Sequence, residues 1–157
     1  MILDSSALVA IILREPGCEA VLAHLETAGA LGVGAPTLSE TAIVLAARLG
    51  RDPRPKIARL LQEYAVTVVP FSDAHWVEST EAFLADGKGR HRAALNYGDC
   101  LTCAVAKLSG EALLATGGDF TGADLEVVAL RARPAGVSVP AERRSCTRRR
   151  SGSGRSG

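Results

Sequence analysis

Four carboxylates in this chain stand where their side chains could act together. Asp4 follows the apolar start Met1-Ile2-Leu3, and Glu40 sits in the first turns of a helical pattern opened by Pro36. Asp99 lies in the first turn of an Ala-rich helical pattern beginning at Asn96, and Asp119 follows the run Glu111 to Thr116 by a few residues. Singly each has an ordinary role: Asp4 and Asp99 as helix caps, Glu40 on a solvated face, Asp119 in a turn. Together they have a chemical one. Clustered carboxylates raise one another's pKa, and the arrangement suits a hard divalent cation that demands oxygen ligands, Mg²⁺ or Mn²⁺. Glu40 strengthens this reading, because it adjoins Thr41 and the apolar run Ile43 to Leu45 with no Arg or Lys within a helical turn. An acid against such a surface needs a partner, and a cation supplies it.

The elements that must position these acids follow from periodicity. Short apolar runs alternate with longer helical patterns, the signature of an α/β domain built on a mostly parallel sheet. Met1 to Leu3 reads as a strand, and Asp4-Ser5-Ser6 caps a helix. Glu15-Pro16-Gly17 opens a second helix, through about Ala28. Leu31 to Ala35 reads as a strand; the helix after Pro36 is expected to face Leu38, Ile43, Val44 and Leu45 inward. A helix covers about Pro55 to Tyr64. Val66 to Pro70, rich in β-branched residues, reads as a buried strand, with Asp73 capping a helix to about Ala85. The stretch 87–92 is loop. A helix from Asn96 to Leu108 ends at Gly110, and Glu111 to Thr116 and Leu125 to Leu130 are the last strands. In an open sheet of this kind ligands bind outside the carboxyl ends of the strands, so strand-end and helix-start acids converge there.

The 157 residues suffice for one domain with a single core, and 47% hydrophobic with 22% charged residues excludes a disordered, collagen-like or disulfide-scaffold chain. The net charge of +1 hides an asymmetry. Residues 1 to 130 hold ten Lys and Arg against sixteen Asp and Glu, whereas 131 to 157 hold eight Arg and one Glu. That tail, rich in Arg, Ser, Gly and Pro, is expected to be disordered, either a dispensable extension or an electrostatic handle for nucleic acid or the acidic body. Cys18, Cys100, Cys103 and Cys146 form no disulfide framework, which points to a reducing compartment, the cytoplasm. Neither a spanning segment nor a signal peptide is evident. The pair Cys100-Leu-Thr-Cys103 has zinc-site spacing, but no second pair accompanies it, so these read as small buried residues of the helix.

Residues 1–17 (MILDSSALVAIILREPG), Pro36 to Glu40 (PTLSE), the stretch 88–107 (KGRHRAALNYGDCLTCAVAK) and the turn 113–120 (LLATGGDF) resemble the motifs of PIN-domain ribonucleases, specifically VapC-type toxins of bacterial toxin-antitoxin pairs. The resemblance covers about residues 1 to 130 in order and leaves the tail unmatched. It implies a three-layer α/β/α fold and metal-dependent endoribonuclease activity. Asp4, Glu40, Asp99 and Asp119 take the acidic positions, with Asp4 and Asp99 the most direct metal ligands and Glu40, Asp119 and Asp124 as further ones. Gly117-Gly118 stand where relatives often present a second acid or Asn, and Asp124 is a substitute or supplement there. A cognate antitoxin whose carboxyl-terminal segment obstructs the acidic site, and homodimerisation, are implied as well.

Within such a site the cation lowers the pKa of a bound water and offsets charge on the leaving oxygen, with Glu40 or Asp119 as general base. Ser6 and Thr116 are candidates for orienting a ligating carboxylate through their hydroxyls. Lys88, Arg90 and Arg92, just ahead of Asp99, and Arg14 are candidates for RNA phosphates, whereas His91 is not expected to bind metal. Asp4 after a short strand also fits phosphoaspartyl enzymes and receiver domains, but Ser6 stands where the former need a second Asp, and the acid pair of the latter is absent. Two alternatives stand: a housekeeping RNA-processing nuclease of the same fold, which a neighbouring antitoxin gene would argue against, and a catalytically inactive RNA- or partner-binding module.

Overall fold

The computed structural model describes residues 1–89, 94–118 and 120–130. Arg90, His91, Arg92, Asp119, Cys146 and the basic tail 131–157 lie outside them. In chain order the elements are β1 (Ile2–Leu3), α1 (Ser5–Leu13), α2 (Cys18–Thr27), β2 (Gly32–Gly34), α3 (Ala35–Leu49), α4 (Arg54–Glu63), β3 (Thr67–Val69), α5 (Asp73–Asp86), α6 (Tyr97–Ser109), β4 (Leu113–Thr116) and β5 (Val127–Leu130). The five strands form one sheet in the order β3-β2-β1-β4-β5, every neighbouring pair parallel.

Alternation along the strands sends side chains into two cores. Ile2, Leu113 and Ala115 face Cys100, Cys103, Val105 and Ala106 of α6, while Leu3 and Leu114 face Ala7, Leu8, Val21, Leu25 and Leu60 from α1, α2 and α4. The expected three-layer α/β/α sandwich is thereby realised. The chain leaves β1 for β2 and β3 on one side and returns to β4 and β5 on the other, so β1 and β4 flank the topological switch point, where sheets of this class bind ligands.

Three local expectations are corrected. The strand after Tyr64 is not buried: β3 is an edge strand, with Thr67 and Val68 exposed, because only β2 pairs with it. Ile43 is 68% exposed, since three consecutive helical residues span about 200° of arc and cannot all meet one core. Ser72, not Asp73, is the N-cap of α5, in a capping box with His75.

Candidate active site

Asp4 leaves β1 at the switch point and caps α1. Its backbone N–H bonds the Leu114 carbonyl at 3.0 Å, fixing it against β4, and its side chain is buried. The backbone N–H of Ser6 donates to Asp4 Oδ2 at 2.9 Å and the Ser6 hydroxyl donates to the same oxygen at 2.6 Å. The Ser6 hydroxyl in turn accepts from the Thr116 N–H at 3.0 Å, so the end of β4 holds the serine that holds the carboxylate. Thr116 thus enters through its backbone, a contact that its side chain does not determine.

Asp99 stands in the first turn of α6 and belongs to a reciprocal box with Asn96. The Asn96 N–H donates to Asp99 Oδ2 at 2.7 Å and the Asp99 N–H donates to Asn96 Oδ1 at 3.0 Å. Ahead of it the chain is strapped down: Lys88 N–H bonds the Leu95 carbonyl and Leu95 N–H the Asp86 carbonyl, each at 3.0 Å. Residues Asp86 to Lys88 and Leu95 are therefore tied together immediately before the cap.

Glu40, half-buried on α3, completes the group. Burial first, and then the charges of Asp4 and Asp99, push its carboxyl above the usual glutamate range, against a hydrogen bond from the Ser5 side chain. Three elements thus bring three acids within electrostatic reach of one another. Among the described residues no three Asp, Glu, His or Cys side chains are gathered tightly enough to hold a metal as they stand. The donor set nonetheless fits Mg²⁺, which keeps several waters and takes only one or two carboxylates from the protein.

A PIN-domain family model matches residues 1–124. VapC ribonuclease Mb2004c of Mycobacterium bovis is 46% identical over 127 residues, 80% of this chain and 91% of that protein. Ribonuclease VapC30 of Mycobacterium tuberculosis is 38% identical over 130 residues, 83% of this chain and 99% of that protein. This chain belongs to the PIN-domain family, among its VapC proteins. Solved structures agree on the fold. Mycobacterium tuberculosis VapC20, described as a Sarcin-Ricin loop cleaving toxin, superposes with a TM-score of 0.62 at 19% identity over 79% of this chain and 95% of its own. A toxin-antitoxin complex from Klebsiella pneumoniae gives 0.60 at 18% identity over 81% and 94%.

Two sequence candidates lie away from the acids of this PIN domain. Arg14 is the left-handed C-cap of α1, at the opposite end of that helix from Asp4, beside Lys56 and Arg59. Asp124 lies within electrostatic reach of Lys107, which pairs with Glu78 near the far end of α6 from Asp99. Helix length separates each from the site, a distance that residue type alone does not show. Asp119, Arg90 and Arg92 lie outside the described residues. Cys18, Cys100 and Cys103 are buried free thiols, as expected, and burial with the neighbouring Cys100 pushes Cys103 up to about 12. No helix among the described residues is long and apolar enough to cross a membrane.

Sequence reasoning missed Ser5, whose side chain opposes the upward push on the Glu40 carboxyl, because Ser5 and Ser6 are equivalent as cap signals. It also missed Gly98, against which the Glu40 carboxylate lies. A cleft of about 410 Å³ opens beside Glu40, lined by Pro36, Ile43, Tyr97 and Leu101, with Tyr97 79% exposed at its rim.

The pH dependence of stability follows from Glu40. Its folded pKa is raised above the ordinary glutamate value of 4.5, so its contribution to stability is complete below that value and is lost as pH rises through the raised one. In metal-free protein Glu40→Gln is therefore expected to match the parent near pH 4.5 and to melt higher at neutral pH. Thermal melts in EDTA check this. A variant that melts lower than the parent at neutral pH would mean that the ionised carboxylate is stabilised where it stands.

Proposed function

We propose that this PIN domain is a divalent-metal-dependent endoribonuclease, the toxin of a toxin-antitoxin pair. The observation that carries the reading is the convergence of Asp4, Glu40 and Asp99 at the switch point of a chain in the VapC family. Bound Mg²⁺ or Mn²⁺ would acidify a water and offset charge on the leaving oxygen of a phosphodiester. The residues do the rest. Asp4, locked by Ser6, and Asp99, locked by Asn96, present carboxylates as ligands. Glu40, held beside them by α3, adds a further carboxylate to the same cation or serves, like Asp119, as base for the attacking water. Asp119 remains the fourth acid by resemblance. Lys88, exposed on the strap before α6, offers a charge for RNA phosphates, with Arg90 and Arg92 beside it in sequence.

The ribonuclease names of the relatives support RNA as substrate, and the toxin-antitoxin complex among the structural neighbours supports a protein antitoxin as partner, which by the resemblance would cover the acidic site. Homodimerisation, a cytoplasmic location and a nuclease domain ending near residue 130 before a basic appendage belong to the same reading. The absence of a tight three-residue metal set among the described residues favours the second reading, an inactive RNA- or partner-binding module.

One experiment separates them. Purified protein is incubated with RNA in Mg²⁺ and in EDTA, and the fragment ends are sequenced. Discrete ends in Mg²⁺ alone are expected. Cutting that persists in EDTA would overturn metal dependence, and binding without cutting in either condition would establish the inactive module.

A further inference from the structure

Helices α3 and α6 meet along a seam whose three contacts are spaced one turn apart and run in opposite directions along the two elements. At the start of α3, a methyl group added to Gly34 would lie 3.0 Å from Val105 Cγ2. One turn on, the hydroxyls of Thr37 and Thr102, both fully buried, are 2.8 Å apart. At the next turn Glu40 meets Gly98, where an added methyl group would lie 2.8 Å from Oε2 and 3.1 Å from Oε1. The helices therefore approach as closely as a glycine at each end and a hydroxyl pair in the middle permit.

Gly98 is not required by its backbone. It lies in the first turn of α6 and is not among the positive-φ residues, so alanine fits its conformation, and glycine there carries the larger entropic cost on folding. What the missing side chain provides is room, and the room is occupied by the carboxylate of Glu40. Because that carboxylate is the far end of a flexible side chain, a Cβ at this position would push it aside without disturbing either helix. The change is mild for the fold and large for the position of one acid.

We propose that Gly98, with the Thr37–Thr102 hydroxyl pair, is a positioning residue that seats the Glu40 carboxylate against the first turn of α6 beside Asp99. This rests on the metal-site reading given above. The seam sets how far Glu40 stands from Asp99, which sits on the residue after Gly98, and so whether both acids reach the same cation. Thr102 holds the register from one turn further along α6. Its loss would leave the Thr37 hydroxyl without its partner in a fully buried position.

The test is Gly98→Ala, read by melting temperature in EDTA and by Mn²⁺ titration calorimetry, with RNA cleavage as a third measurement. Gly29→Ala is the control, since nothing lies within 4 Å of a methyl group there. Gly98→Ala is expected to melt at or above the parent while binding Mn²⁺ about tenfold more weakly, and Gly29→Ala to bind as the parent does. Should Gly98→Ala melt lower, Thr102→Val and Thr102→Ser decide: the seam predicts weakened Mn²⁺ binding for valine and recovery for serine. Parent-like Mn²⁺ binding in both Gly98→Ala and Thr102→Val would overturn the proposal while leaving the metal site standing. A parent that binds no Mn²⁺ would overturn both.

Discussion

Asp99→Asn is expected to lower metal-dependent RNA cleavage by about 10³-fold, on the scale of losing one key electrostatic group and equivalent to about 4 kcal/mol of barrier. The substitution is chosen so that the fold cannot explain the loss. Asp99 has a structural role, since its Oδ2 accepts the Asn96 N–H and its own N–H donates to Asn96 Oδ1. Asparagine keeps an oxygen in the same place and leaves that backbone N–H untouched, so the capping box survives. What disappears is a negative charge that Glu40 senses, and with it part of the attraction for a divalent cation. The melting temperature in EDTA should therefore not fall below the parent's, while single-turnover cleavage in Mg²⁺ falls. Full activity in a folded Asp99→Asn protein would reduce Asp99 to a helix cap and remove the main support for a carboxylate-held metal.

Asp4 and Asp99 were legible because local chemistry and position coincide in them. Asp4 ends an apolar strand and precedes two hydroxyls, and Asp99 lies three residues after Asn96, so each is marked as an acid at a helix start. Glu40 was legible from what surrounds it, an apolar run without a cation. Strand order is different in kind. Nothing local distinguishes the β-branched run at Thr67 to Val69 as an edge, because edge position is set by which strands fail to follow it in the sheet. Where Asp124 and Arg14 lie along α6 and α1 was equally hidden, since sequence proximity to a motif is not proximity across a helix. The seam of α3 and α6 was invisible for a subtler one. A glycine in a first turn and two threonines in mid-helix carry no pattern of their own, and become informative only when another helix is laid against them.

Ser6→Ala is expected to weaken metal binding or cleavage by about 10- to 100-fold, as for other side chains that orient a ligating group. The serine stands between two parts of the sheet. Its hydroxyl donates to Asp4 Oδ2 at 2.6 Å and accepts from the Thr116 N–H at 3.0 Å, so it ties the carboxylate after β1 to the end of β4. Alanine removes both bonds but not the cap, because the backbone N–H of residue 6 still reaches Asp4 Oδ2. Helix α1 should form as before, and Asp4 should keep its charge but lose one of the two donors that fix its plane. The part-buried Thr116 N–H would be left without this acceptor, at a stability cost of about 1–3 kcal/mol. Stability alone would therefore fall whatever the role of Ser6, and the deciding measurement is Mn²⁺ affinity at a temperature where the variant is fully folded. Ser6→Thr retains a hydroxyl at the same distance along the side chain and should recover most of the affinity. A folded Ser6→Ala protein with the parent's Mn²⁺ affinity would mean that the hydroxyl only staples α1 to β4, and that Asp4 needs no orientation beyond its own cap.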